Sequence, residues 1–211
     1  MKKKANILIL FVTFLAVGNL YAQETAEEHF KQGVINYKSG NYDAAIAEYN
    51  AAISIDSNHD ATYYNRGMAY ARKNDLNQAI SDYSKAIAIN PNYFEAYINR
   101  GTAFFHKNNF EQSIADLNKA IEINPAKPDA YFYRGLAEGE EGNIDKAIAD
   151  YTKAIGINPN YSEAFIARSL GYFLRNEYDK SWEDVYKAEA LGLKAKPDFF
   201  DKLKKASGRE K

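Results

Sequence analysis

The chain has 211 residues, with 27 Lys and Arg against 28 Asp and Glu and a formal net charge of −1. That balance argues against nucleic acid as a partner, because phosphate binding needs a basic face. Cysteine is absent, which excludes disulfides, a thiol nucleophile, thiolate metal sites and a cysteine-linked lipid; stability has to come from packing alone.

In chain order, the first predicted element is a signal peptide over residues 1–22. Lys2, Lys3 and Lys4 precede an uncharged apolar run from Ile7 to Val17, which is short for crossing a bilayer but normal for a signal-peptide core. Cleavage after Ala22 would release an exported chain, periplasmic or secreted, in a Gram-negative setting. Membrane contact is expected only if the segment stays uncleaved. Losing the three lysines makes the remainder more acidic.

From Ala26 onward the chain repeats itself. Gly33, Gly67, Gly101, Gly135 and Ser169 stand 34 residues apart without insertion, dividing residues 23–195 into five units: 26–59, 60–93, 94–127, 128–161 and 162–195. Self-similarity at such a period signals stacked supersecondary units. Each unit predicts two helices. In the first, an aromatic (Tyr63, Tyr97, Tyr131, Phe165) lies four residues before the glycine or serine, and another (Tyr70, Phe104, Tyr172) three after it, so these share one stripe.

A short turn follows, with Asn41, Asp75, Asn109 and Asn143 placed as N-caps. The second helix carries an apolar and small face, as in Leu76, Ala79, Ile80, Tyr83, Ala86 and Ile87, and Pro91, Pro125 and Pro159 mark its end. Glycine inside a helix costs about 1 kcal/mol against alanine, so its return at one phase needs an offsetting gain. The expectation is close approach of the second helix through Ala45, Ala79, Ser113, Ala147 and Ser181. Residues 196–211 place Phe199, Phe200 and Leu203 among lysines, the pattern of a capping helix and tail.

This order of aromatic, glycine, aromatic, then Ala-x3-aromatic, Ala and Pro resembles the tetratricopeptide repeat. The likeness implies an all-α fold, a right-handed superhelical α-solenoid of five helix hairpins with a C-terminal capping helix. It also implies a non-enzymatic protein-interaction scaffold. The first unit departs from the pattern at His29 and Ser57 and the fifth at Ser169 and Leu193, as terminal repeats do.

Where the family has leucine before the glycine, this chain has Arg66, Arg100, Arg134 and Arg168, and the second helices carry an acid at one phase: Glu48, Asp82, Asp116, Asp150 and Asp184. A guanidinium partly buried between helices needs a partner. Two readings stay open. Each arginine pairs with an acid of this row, from the preceding repeat in one version. Otherwise the acids pair with Lys85, Lys119, Lys153 and Lys187 three residues on and the arginines stay in solvent.

In the family the first helices line a concave wall, and the matching positions of this chain include Tyr64, Asn65, Met68, Glu95, Ile98, Asn99, Thr102, Asp129, Phe132 and Tyr133. Members that clamp a C-terminal carboxylate place Lys, Arg and Asn there, whereas this chain has Phe30, Val34 and Glu95 at three of those places. The resemblance therefore implies an extended peptide or amphipathic helix of a protein partner, its main chain met by asparagines and its side chains held on an aromatic floor.

The alternative is a structural or assembly subunit of an envelope or secretion complex that uses its convex face or self-associates; the oligomeric state stays open. His29, His59 and His106 fall at unrelated phases, with no metal-ligating pair, phosphate loop or nucleophile elbow. No catalytic residue, metal or cofactor is expected.

Overall fold

The computed structural model describes residues 25–209, which contain eleven helices and no strand. The expected signal peptide lies outside these residues. Helix α1 covers 25–38. It is followed by α2 (Tyr42–Ile55), α3 (Asp60–Arg72), α4 (Leu76–Ile89), α5 (Phe94–His106), α6 (Phe110–Ile123), α7 (Pro128–Glu140), α8 (Ile144–Ile157), α9 (Ser162–Leu174), α10 (Tyr178–Ala190) and α11 (Pro197–Ser207). No described helix is long and apolar enough to cross a membrane. The chain forms two compact units, one up to Ala96 and one from Tyr97 on. Each is a run of helix hairpins, with α3 against α4 in the first and α7 against α8 and α9 against α10 in the second.

Each hairpin turn contains one residue in the left-handed region: Gly40, Asn74, Asn108, Gly142 and Asn176, with φ between 60° and 81°. Glycine and asparagine are the residues that reach this region cheaply, so the turn chemistry is written at one position of the period. The expected N-caps behave unevenly. Asp75 accepts from the Gln78 amide at 3.2 Å, whereas Asn41, Asn109 and Asn143 make no side-chain cap. Asn143 turns away and donates to Glu138 at 2.8 Å.

The second helices stop before their prolines. Asp56, Asn90, Asn124 and Asn158 each accept, through the side chain, from the backbone N–H two residues on, at 2.9–3.1 Å. These Asx turns explain why α2 ends at Ile55 without any proline.

The recurring glycine seats a large side chain rather than a small one. A Cβ at Gly33, Gly67 or Gly135 would lie 2.5, 2.8 or 2.6 Å from the ring of Tyr49, Tyr83 or Tyr151, and one at Gly101 would lie 2.9 Å from Leu117. The small residues expected to meet the glycine are buried, but the atoms nearest the missing side chain belong mainly to the residue four positions further on. In the last hairpin Ser169 takes the glycine's place and Val185 the tyrosine's. There Ser169 Oγ donates to the Ser181 carbonyl at 3.0 Å and Ser181 Oγ to the Ser169 carbonyl at 2.9 Å. Size lost on one helix is matched by size gained on the other.

Helix α11 closes the second unit. Leu203 is buried against Trp182 and Val185, Phe200 meets Trp182 edge-on at 5.2 Å, and Phe199 meets Phe173 at 5.7 Å. The Trp182 indole N–H donates to Ser207 Oγ at 3.0 Å.

Candidate partner-binding faces and the arginine row

The arginine before each glycine or serine lies between two helices of its own hairpin. In the first unit, Arg66 donates through Nε and Nη2 to the two Asp82 oxygens at 2.8 and 2.7 Å. In the second unit, Arg100 does the same to Asp116, Arg134 to Asp150 and Arg168 to Asp184, at 2.6–2.8 Å. These are two-pronged, charge-assisted pairs.

The acid thus comes from the same hairpin, not the preceding one. The preceding hairpin contributes a neutral group instead: Nη1 reaches Asn50 from Arg66, Asn118 from Arg134 and Thr152 from Arg168, at 2.6–3.0 Å. Each guanidinium also lies 5.5–5.6 Å from the ring three residues earlier, Tyr63, Tyr97, Tyr131 or Phe165, a cation–π contact on the i, i+3 spacing.

The Asp150 carboxylate raises the Arg134 guanidinium above its ordinary range, and Asp184 does the same for Arg168, outweighing the burial that lowers both. Glu48 stands apart from this row. Its partner is His29 Nδ1 at 2.7 Å, because position 32, the arginine's place in that hairpin, is Gln32. Lys119 pairs with Glu122, not Asp116. The row therefore braces helices and offers no free charge to a ligand.

The wall residues of the first unit are largely engaged. Tyr64 packs against Tyr83 at 5.9 Å and Tyr93 at 4.8 Å, and the Asn65 amide donates to the Ala61 carbonyl of its own helix at 2.7 Å. Met68 on α3 and Glu95 in the first turn of α5 are half-buried. Phe30 is held in the same manner, between Tyr49 and His59.

In the second unit, Ile98, Asn99 and Thr102 lie half-buried on α5, and Thr102 Oγ1 donates back to the Ile98 carbonyl at 2.9 Å. Phe132 is bracketed by Tyr151 at 6.0 Å and Tyr161 at 4.9 Å. The aromatics expected to form a binding floor are therefore part of the packing. Their partners His59, Tyr93 and Tyr161 sit just before the next first helix. That recurring aromatic position lies outside the helical stripes and reads Lys127 in one unit.

What remains in the second unit is Asp129 and Tyr133 of the expected wall, together with residues of α9. Asp129 is exposed and accepts from the Tyr161 hydroxyl at 2.9 Å. Tyr133 leans on the core of Leu117, Ala120 and Ala130. Burial first, then the Asp129 and Glu163 carboxylates, push its phenol above the ordinary range. On α9, Leu170 and Leu174 are 46% and 54% exposed, a leucine pair one turn apart that adds apolar area to the surface.

Successive antiparallel hairpins, with an arginine brace and an aromatic seat at one period, define a helical repeat protein. The chain belongs to the tetratricopeptide repeat family, a family of protein-interaction modules. Models described as tetratricopeptide repeat match residues 61–93, 128–161 and 83–115, and one described as TPR repeat matches 33–74 and 101–140. Together they run unbroken from 33 to 161.

Among solved structures, MamA is 29% identical, covers 76% of this chain and 94% of its own, and superposes with a TM-score of 0.71. YrrB, described as a TPR protein with an unusual peptide-binding site, is 21% identical over 77% of this chain and 84% of that one, with a TM-score of 0.66. PilF of Pseudomonas aeruginosa is 16% identical over 89% and 86%, with a TM-score of 0.78. No curated protein matches the chain.

Proposed function

We propose that this protein is a non-enzymatic scaffold that holds a peptide segment or helix of a partner protein on the outward face of its first helices, in the second unit on α7 and α9. The observation that carries the reading is the exposed pair Leu170 and Leu174. It lies on a helix that buries Ala164 and Phe165 on its opposite side. YrrB, with its peptide-binding site, supports the reading by likeness of fold. The apolar run behind Lys2, Lys3 and Lys4 supports placing this work in an exported compartment.

A photoreactive side chain at position 170 is expected to cross-link to one discrete partner protein in cells. The same group at Lys153, exposed on the second helix α8, is expected to cross-link to none. Equal capture from both positions would overturn the proposal. A second reading, an assembly subunit joined through second helices, is favoured by Tyr186 and Leu191, exposed by 47% and 39% on and just after α10. Light scattering separates the two: a discrete oligomer at low micromolar concentration belongs to the second.

A further inference from the structure

The chemistry of the α7 and α9 faces narrows the partner. Asp129, Tyr133, Leu136 and Glu140 follow one another on α7 at spacings of four, three and four, one stripe of the helix. Glu163, Leu170 and Leu174 form the corresponding stripe on α9. Of these residues, Asp129, Glu140 and Glu163 are exposed acids, and Leu170 and Leu174 are exposed apolar groups.

The basic residues of the two helices are Arg134 and Arg168 alone. At 100° per residue both point away from these stripes, and both are spent on Asp150 and Asp184. The faces therefore carry negative charge with no cation of their own helices to answer it.

Helix energetics do not explain all of that charge. Asp129 and Glu163 sit in first turns, where the macrodipole favours acids. Glu140 is the last residue of α7, where the same dipole disfavours one. An exposed acid held against the dipole, on a pair of helix faces that also carry exposed apolar groups, is matched by a ligand that is cationic and apolar at once.

Resting on the docking reading above, we infer that the partner segment seated on α7 and α9 is an amphipathic one bearing Lys or Arg. Its basic side chains lie against Glu140 and Glu163 and over the Tyr133 ring, and its apolar side chains lie on Leu170 and Leu174. Charge complementarity at such a rim steers encounter and selects among partners, and a cation over a tyrosine face adds to it.

The test uses the full chain and two synthetic helical peptides with the same leucine positions, one carrying lysines at its polar positions and the other glutamates. Fluorescence anisotropy is expected to show the lysine peptide binding at least ten-fold more tightly. Glu140→Lys/Glu163→Lys is expected to abolish that preference, and Leu170→Gln/Leu174→Gln to weaken both peptides. All four positions are exposed, so the fold survives the changes; Asp129 is left intact because it holds Tyr161.

Equal binding of the two peptides, still weakened by the leucine changes, overturns the inference and leaves the docking reading standing. Binding that ignores the leucine changes overturns both. A concentration-dependent oligomer that the leucine changes dissolve replaces the partner segment with a second copy of the chain.

Discussion

Hairpins α7–α8 and α9–α10 belong to the same unit and differ most at the seat between their helices. In the first, Gly135 leaves room for the Tyr151 ring; in the second, Ser169 and Ser181 exchange hydrogen bonds and Val185 takes the ring's place. The brace beside the seat is the same in both, Arg134 on Asp150 and Arg168 on Asp184. A volume can be exchanged between two facing positions without altering the approach of the helices. A buried charge pair has no such freedom, because a carboxylate of one length must meet both prongs of the guanidinium.

Breaking the shared part should cost most. Asp150→Ala leaves Arg134 between helices without its carboxylate, with 23% of its side chain exposed. A loss of about 3 kcal/mol is expected, and Asp184→Ala should cost a similar amount around Arg168. Urea unfolding measures both. A loss below about 1 kcal/mol at either site would mean that the guanidinium is satisfied without its acid.

The differing part should be smaller and exchangeable. Gly135→Ser puts a Cβ 2.6 Å from the Tyr151 ring and 3.2 Å from Asp150 Cβ, an overpacking cost of about 2 kcal/mol. Adding Tyr151→Val, which copies the last hairpin, should recover more than half of it. If the double variant is no better than the single one, the two seats are not equivalent solutions.

The smallest expected effect is on pH dependence and separates the seats by titration. Burial raises the phenols of Tyr49, Tyr83 and Tyr151, to about 12 for Tyr49, whereas Val185 has nothing to ionise. A raised pKa means that folding favours the neutral phenol. The stability is fully present below about pH 10, the unfolded value, and is lost as pH rises through the folded value. Tyr49→Phe should flatten the alkaline limb of a stability–pH curve between pH 10 and 12. The Tyr49 hydroxyl has no hydrogen-bond partner among the described residues, so the change should cost nothing near neutral pH. An unchanged limb would assign alkaline unfolding to other groups.

Much of this architecture is legible in the residues alone. The hairpins follow from the phase of Gly33 to Ser169, because a helix must show an apolar stripe at helical period to be buried at all. The amphipathic tail likewise announces α11 through Phe199, Phe200 and Leu203. Stops and caps are less legible: the prolines mark helix ends that the asparagines at 90, 124 and 158 make through side-chain acceptance, and Asp56 makes the same stop with no proline to mark it. Such a local bond depends on backbone dihedrals that residue type only biases.

The wall is the least legible part. Tyr64 and Phe132 stand at outward phases, and the aromatic residue just before the next first helix packs against each of them. A helical wheel does not contain that residue.

By itself the sequence settled the period, the class of fold and the presence of both an arginine and an acid in nearly every hairpin, since each of these is a property of spacing along one helix or two neighbours. Which acid each arginine grips was a tertiary decision. Asp82 and Asp116 lie at similar separations from Arg100 along the chain, and only the way α5 and α6 lie together brings Asp116 within 2.7 Å. The same holds for the open face on α9: exposure depends on what packs where, and the pattern of apolar residues leaves it undetermined.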